Sequence, residues 1–335
     1  MHYSQEEKHE IVRLVEGSQL GVKRTLSELG INRSTFYGWY ARYREEGYDG
    51  LSTGKRKPEK YWNQISERDR DWVVGIALEM DGLTPRELAY HIIDHHKYYI
   101  SESSVYRILK ERGLVTSPAY LVMAASDSFR DKTSRPNQMW QTDFTYFKVV
   151  GWGWYYLSTV LDDYSRYIVG WELCASMKAT DVKSTLDGVL LRTGVGMADR
   201  PKLLSDNGSC YLSGELESYL KKQGIKHVRG RPLHPQTQGK IERYHRSMKN
   251  IVKLEHYYDP SALERSIGEF VDYYNDCRYH ESLDNLTPSD VYFGRDRKRL
   301  RERSKTKEVT MRKRKQEFVK AKSIRIWQNQ LDLSR

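Results

Sequence analysis

The stretch from Leu203 to Lys249 constrains this chain more than any other. Leu203-Leu204 is a short apolar run that ends on Ser205-Asp206 and is broken at once by Asn207-Gly208. That is the pattern of a buried strand delivering a carboxylate at its carboxyl end. A helix-period segment from Leu212 to Gln223 and a second short strand from Ile225 to Val228 follow. A loop carrying Pro232, Pro235 and Gly239 then opens onto a long helix beginning near Gln238. Ile241, Tyr244, Met248 and Ile251-Val252 recur along it at spacings of three and four, an apolar stripe for a core. Glu242 falls in the first turn, about 100° from that stripe and therefore at its edge. Lys249 follows two turns further down the same face.

The chain upstream supplies a third acid and the sheet to hold it. Trp140 to Val150 is rich in aromatic and β-branched residues, with Asp143 inside it, and predicts a first strand. Gly151-Trp152-Gly153 turns the chain into a second strand, Trp154 to Leu161, and Tyr167 to Leu173 is a third. Runs at such intervals read as antiparallel hairpins. A helix from Thr180 to Leu191 leads back to the strand before Asp206. This alternation predicts an α/β layered domain.

Asp143 in WQTDFTYF, Asp206 in SDNG and Glu242 in HPQTQGKIER, with thirty-five residues between the last two, resemble the Asp-Asp-Glu triad of the retroviral-integrase-like transposases of bacterial insertion sequences. The resemblance runs from about Asn137 to Phe293, roughly half the chain, and Lys249 matches a basic residue that many of these enzymes carry. It implies a ribonuclease-H-like core, with Asp143 within the first strand, Asp206 at the end of an adjacent fourth and Glu242 reaching across from a packed helix. It also implies Asp143 bridging two Mg²⁺ ions (Mn²⁺ substituting), with Asp206 holding one ion and Glu242 the other. The chemistry suits the residue types. Phosphodiester displacement needs an activated oxygen, a neutralised transition state and a stabilised leaving oxygen, which two ions about 3.5–4 Å apart supply. Mg²⁺ is hard and prefers carboxylate oxygens, so no His or Cys is required.

Charge and cysteine usage narrow the rest. The 335 residues carry a formal charge of +11, which favours a polyanionic partner. No apolar run approaches the roughly 18 residues of a membrane span, and MHYSQEEKHE lacks a signal-peptide core, so a cytoplasmic protein with no membrane partner is expected. Cys174, Cys210 and Cys277 are too scattered for a disulfide framework or a Cys-x-x-Cys zinc site. The amino-terminal His-His-Cys-Cys zinc module of retroviral integrases is absent, since no cysteine precedes residue 174.

The expected organisation is multidomain, α followed by α/β. Residues 1–51 read as a helix-turn-helix: a helix capped by Ser4 with Ile11, Leu14 and Val15 inward, a second from Val22 to Leu29 stopped by Gly30, and a third capped by Asn32 or Ser34. Ser34, Thr35, Tyr37, Trp39, Arg42 and Arg44 give the third helix polar groups at its start and cations beyond, as DNA recognition requires. A basic linker, 52–61, leads to a second helical module, 62–116. There Ser66 caps a helix bearing Trp72, Val73, Ile76 and Leu78, and Thr84-Pro85-Arg86-Glu87 forms a capping box. Ser101 or Ser103 opens the last helix, with Ser104, Arg107, Lys110 and Arg112 turned outward. His91 and His95 share a helix face, but with no third ligand nearby they read as part of a polar helix face rather than as zinc ligands.

A second linker spans 117–136, the core 137–294 and a basic tail 295–335. Within the core, Lys240, Arg243, Arg246 and Lys249 make a basic helix suited to phosphates, and His234, Gln236 and Gln238 precede it as further candidate DNA contacts. Asp162-Asp163 falls in a turn, where Asp is favoured for local backbone bonding. The block from Arg295 to Lys315 is expected to wrap a polyanion rather than fold alone, with Phe318 to Leu333 a small final element. The resemblance implies a transposase that binds terminal inverted repeats in double-stranded DNA, frees a 3′-hydroxyl and joins it to a target phosphate, working as a homodimer or larger assembly, in some relatives through a circular intermediate. The competing readings are a DNA-binding regulator with an inactive core, which the intact triad opposes, and a ribonuclease H, which the front-end helical modules oppose.

Overall fold

The computed structural model describes residues 3–18, 20–52, 61–80, 82–115, 133–230, 239–253 and 255–332. Most of both expected linkers, and the candidate contacts His234, Gln236 and Gln238, lie outside the described residues. The chain forms two compact units, 1–64 and 65–335.

The first unit is a trihelical bundle of α1 (Gln5–Gly17), α2 (Val22–Glu28) and α3 (Arg33–Glu46), closed by a short 3-10 turn. Ser4 and Glu7 form a reciprocal capping box on α1, and the Asn32 side chain caps α3. The core joins Val12, Val15, Leu26, Phe36, Trp39 and Leu51. Two expectations change here. Leu14 is 51% exposed and Val12 fully buried, because α1 turns its stripe toward α3 and the 3-10 turn. Trp39 is a core residue, packed edge-on against Tyr3 and beneath the Lys8 ammonium, and not part of a recognition face.

The second unit begins with α4 (Glu67–Glu79), α5 (Pro85–His95) and α6 (Glu102–Glu111). Thr84 and Glu87 close the expected capping box, and Ser101 caps α6. Val73, Ile76, Leu88, Ile92, Val105 and Ile108 make the core of this module, whereas Trp72 and Leu78 face outward. The His91 and His95 rings stack at 4.4 Å, and among the described residues no group of three His, Cys, Asp or Glu side chains is placed to hold a metal.

A five-stranded sheet follows, ordered β3-β2-β1-β4-β5. β1 (Met139–Val149), β2 (Gly153–Asp162) and β3 (Ile168–Cys174) pair antiparallel, and β4 (Lys202–Ser205) and β5 (His227–Arg229) extend the sheet in parallel from β1. Parallel pairing needs crossovers, supplied by α7 (Ala179–Thr193) and α8 (Gly214–Lys222). Strand alternation then builds two cores. Trp140, Val160 and Leu203 meet α7 and α8 on one face. Phe147, Val149, Leu157 and Leu161 meet α9 (Gly239–Val252) and α10 (Pro260–Asp272) on the other. After α10 a π-turn, Tyr273–Cys277, carries buried Asn275, whose amide bonds both the N–H and the carbonyl of Ile168 and so stitches the start of β3.

The basic tail departs most from expectation. Beyond α11 (Pro288–Tyr292), residues Asp296–Asp332 form one 37-residue helix, α12. Four arginines at its start and along it turn onto the protein itself. Arg295 and Arg299 reach buried Asp290, Arg314 donates to Tyr98 Oη and Tyr99 O, and Thr310 accepts from Tyr99 N. Arg303 bonds both Asp94 carboxylate oxygens at 2.7 and 2.6 Å, with its remaining donors on the Asp284 and Asn285 carbonyls. The Arg303 and Asp94 side chains are 8% and 7% exposed. The tail therefore docks on the second helical module instead of trailing free. Arg297, Lys298, Arg301, Lys305, Arg312 and Lys313 remain exposed along it.

Removing one partner of a buried, hydrogen-bonded pair strands the other charge at a cost of about 3–5 kcal/mol. Arg303→Ala and Asp94→Ala are each expected to lower denaturant stability by that order, and Arg303→Met with Asp94→Leu to lose less than either alone. Stability curves for the three variants test this, and single variants as stable as the native chain would contradict it.

Candidate active site

The site is built where β1 and β4 run side by side. Trp140 pairs with Leu203 and Gln141 with Leu204. Carrying that register two residues on sets Asp143 beside Asp206, which stands just past the end of β4. Asp143 lies on the α9 face of the sheet, with its side chain 23% exposed. One of its oxygens accepts from the Phe144 N–H at 2.8 Å, and the other lies 3.4 Å from His245 Nδ1 on α9.

Asp206 is aimed by the turn that follows it. Its Oδ1 accepts from the Gly208 N–H at 2.9 Å, and Asn207 donates to the Gly230 carbonyl. A Cβ at Gly208 would lie 3.0 Å from Asp206 Oδ1 and 3.4 Å from the Tyr211 ring, so a side chain there would displace the Asp206 carboxylate by a few tenths of an ångström. Buried Tyr211 lies beneath the two aspartates, its hydroxyl 3.4 Å from Thr142 Oγ1. Burial, with Asp143 and Asp206 adding to it, raises the Tyr211 hydroxyl well above its ordinary pKa. Burial and Asp206 likewise push the Cys210 thiol up, which keeps it protonated and a poor nucleophile at neutral pH.

α9 is pinned over this corner at its first turn. Buried Gln141 accepts from the Ile241 N–H at 3.2 Å and donates to Asp163 at 2.7 Å. The Lys240 ammonium binds the Asp163 carboxylate at 2.8 Å and its carbonyl at 2.9 Å. Lys240 was expected to contact DNA. It is instead an anchor, because Asp163 lies buried beside it and needs a counter-charge. Asp162 and Asp163 have the structural role anticipated for them: Asp162 accepts from Asn137 N, Ser165 N and Ser165 Oγ, and burial raises its carboxyl pKa against those bonds. Thr133 donates to Asp163, so the last residues of the expected second linker already belong to the core.

Glu242 occupies the first turn of α9, exposed and at the edge of its buried stripe. It stands one helical turn before His245, the residue that meets Asp143. Neither Glu242 nor Asp206 forms a salt bridge among the described residues. The two aspartates are brought to adjacent strand positions, and Glu242 is placed on the helix that crosses them. The three are not drawn into one closed cluster. The donor set suits a hard divalent ion: two accessible carboxylates on rigid strands and a third on a facing helix.

Two residues went unread in the sequence. His245 is 6% exposed and falls on the apolar stripe of α9, four after Ile241 and three before Met248. A polar residue at a stripe position was the available signal. Gln141, two before Asp143, is 1% exposed, and nothing in its spacing marks it. Among the other candidate contacts, Ser34, Thr35, Tyr37 and Arg42 lie exposed on α3, Arg107 on α6, and Arg243 and Arg246 on α9. Lys249 is half-buried, its ammonium 4.8 Å from the centre of the Tyr146 ring. Burial first, then Lys253, lowers its pKa, while Asp143 opposes them.

Comparison with known proteins agrees with this architecture. Residues 133–235 and 223–288 match two models of an integrase core domain, residues 7–59 a helix-turn-helix domain, and residues 35–109 a homeodomain-like domain. The chain is 29% identical over 158 residues to the transposase InsK named for insertion sequence element IS150 of Escherichia coli K12, covering 47% of this chain and 55% of that protein. It is 28% identical over 163 residues to the transposase for IS904 of Lactococcus lactis, covering 48% of this chain and 62% of the relative. The chain thus spans little more than half the length of these relatives. Among solved structures, the HTLV-2 integrase catalytic core in complex with magnesium is 20% identical, with a TM-score of 0.39 over 48% of this chain and 99% of that one. In its matched domains and its curated relatives the chain is similar to insertion-sequence transposases, with matches to helix-turn-helix domains ahead of an integrase core.

Proposed function

We propose that this chain is a DNA transposase. The observation that carries the reading is the pairing of β1 with β4, which sets Asp143 and Asp206 side by side under a basic helix that bears Glu242. Two Mg²⁺ ions, or Mn²⁺ in their place, would supply an activated oxygen and neutralise the crowded phosphate. Asp143, Asp206 and Glu242 would hold them, Asp143 serving both, Asp206 one and Glu242 the other. Gly208 and the turn around it keep Asp206 aimed, and His245 fixes the orientation of Asp143.

The chain's other groups place DNA on this site. Arg243, Arg246 and Lys249 line α9 beside the acids, and their charge holds the phosphates flanking the cut. His234, Gln236 and Gln238, which precede α9 in the sequence, would add further DNA contacts. Ser34, Thr35, Tyr37 and Arg42 on α3 and Arg107 on α6 read or grip the terminal inverted repeats in duplex DNA. In the first step water attacks a phosphodiester and the 3′-oxygen leaves as a free hydroxyl. In the second, that hydroxyl attacks a target phosphate, a new P–O bond forms, and the target's own 3′-oxygen departs. Two DNA ends must be held together, so the working species is a homodimer or a larger assembly acting on cytoplasmic DNA. No described helix is long and apolar enough to cross a membrane.

Labelled duplexes carrying the element's ends, incubated with the protein and Mg²⁺, are expected to yield joined DNA products. Cleavage of the RNA strand in a parallel RNA–DNA hybrid would mark a ribonuclease instead, and a mobility shift without cleavage a regulator. Even outer-shell partners of a metal site cost about 10–100-fold when removed, so Asp143→Asn and Glu242→Gln are each expected to cut joining by more than about 100-fold. Retained joining in either variant would overturn their assignment.

Divalent ions that bind only the folded chain are also expected to raise its melting temperature, by about 2.7 kcal/mol of stability at a hundredfold excess over Kd. Asp143→Asn and Gly208→Ala should weaken that rise while melting normally in chelator. A rise of equal size in all three proteins would place the ions elsewhere.

A further inference from the structure

One part of the sheet has a use that the acids do not explain. On β1, Trp140 and Phe144 meet α7 and α8, but further along the same face Tyr146 and Lys148 emerge into solvent. Opposite them on β2 stand Tyr156 and Trp154, in the register Tyr146↔Tyr156 and Lys148↔Trp154. Tyr146 is 49% exposed and Trp154 51% exposed. Their rings meet edge to face at 5.4 Å. β4 pairs only with Met139 to Gln141, so no strand of this sheet lies along that side of β1 past Asp143. There the ammonium groups of Lys249 and Lys253, from α9, reach the Tyr146 ring at 4.8 and 5.6 Å.

Open aromatic faces set among cations form the surface that single-stranded nucleic acid requires: bases stack on the rings, and phosphates pair with the lysines. A second copy of the chain is the poorer occupant, since two faces each carrying Lys148, Lys249 and Lys253 would repel. The position is also telling. Tyr146 follows Asp143 by three residues, about 10 Å along an extended strand, which is within a few nucleotides of the reacting phosphate.

We propose that Tyr146 and Trp154, flanked by Lys148, Lys249 and Lys253, form a stacking platform for unpaired bases of the DNA strand beside the cut. This rests on the transposase reading for its role, though not for its chemistry. A base drawn onto Tyr146 displaces the lysine ammonium from the ring and leaves it beside the phosphate. Fraying the DNA end onto this face would separate the strand to be cut from its complement near Asp143.

The test uses the full chain and a single-stranded oligothymidylate of about 12 nucleotides bearing one 2-aminopurine, with a duplex of equal length as control. Aromatic stacking contributes about 1–3 kcal/mol per base, so Trp154→Ala and Tyr146→Ala are each expected to weaken single-strand affinity roughly 5- to 150-fold and to relieve the 2-aminopurine quench. Tyr146→Phe should retain both, and duplex affinity should not change. Lys253→Gln should lower the salt dependence of single-strand binding by about 0.7 in slope. Trp154→Leu, which keeps apolar area without a π-face, serves if the alanine variant melts early.

Single-strand affinity unchanged in both Trp154→Ala and Tyr146→Ala overturns the platform. So does a fall in the sedimentation coefficient of the DNA-free variants, which would show that the face joins copies. Asp143→Asn separates the two claims: it should bind oligothymidylate normally while losing joining. If the unaltered chain yielded no joined DNA while the aromatic variants lost single-strand affinity, the transposase reading would fall and the platform would stand.

Discussion

The parallel pairing of β1 with β4 is the constraint on which the active corner depends. Trp140 and Leu203 are both fully buried where the strands meet, and their apolar faces fix the register. A slip of one residue would turn every side chain of β4 to the opposite face and carry Leu203 out of its core. It would also separate Asp206 from Asp143. The placement of the two aspartates is thus a by-product of core packing: hydrophobic burial, at roughly 25 cal/mol per Å² of apolar surface, holds two like charges side by side. The cost of that juxtaposition is confined to one corner, where both carboxylates keep access to solvent and to cations.

The first turn of α9 is fixed to the same corner by polar contacts rather than by packing alone. Gln141 joins β1 to the Ile241 N–H, an end group of the helix that has no intrahelical partner. Lys240 neutralises Asp163, whose neighbour Asp162 ties down the start of β1 through Asn137. These bonds determine which residue of α9 meets Asp143, and that residue is His245, with Glu242 one turn nearer the helix start. The adjacent acids Asp162 and Asp163 therefore serve as scaffold.

Much of this was legible in the sequence, and the failures share a cause. The SDNG break, the capping box at Thr84 and Glu87, and the alternating strands around Asp143 are local signals, and each formed the element it indicated. Leu14 was misplaced because helical period defines a stripe but not which neighbour covers its edges. Lys240 and the tail were misread for a related reason. Basic residues look alike in a sequence, yet Arg303 lies buried against Asp94, 209 positions away, while Lys305 stays in solvent. Only tertiary structure sorts a charge meant for the protein's own acids from one left for DNA. With its inward arginines satisfied, α12 leaves Arg297, Lys298, Arg301 and Lys305 exposed to solvent.

The central claim is that Asp143, Asp206 and Glu242 share divalent ions when DNA occupies the site. Anomalous scattering from crystals of the full chain with a DNA end and Mn²⁺ tests it most directly. The account predicts two manganese peaks about 3.5–4 Å apart, with Asp143 touching both, Asp206 touching one and Glu242 the other. Manganese bound away from Asp143, or Glu242 still on the outer rim of α9 with both peaks present, would contradict it.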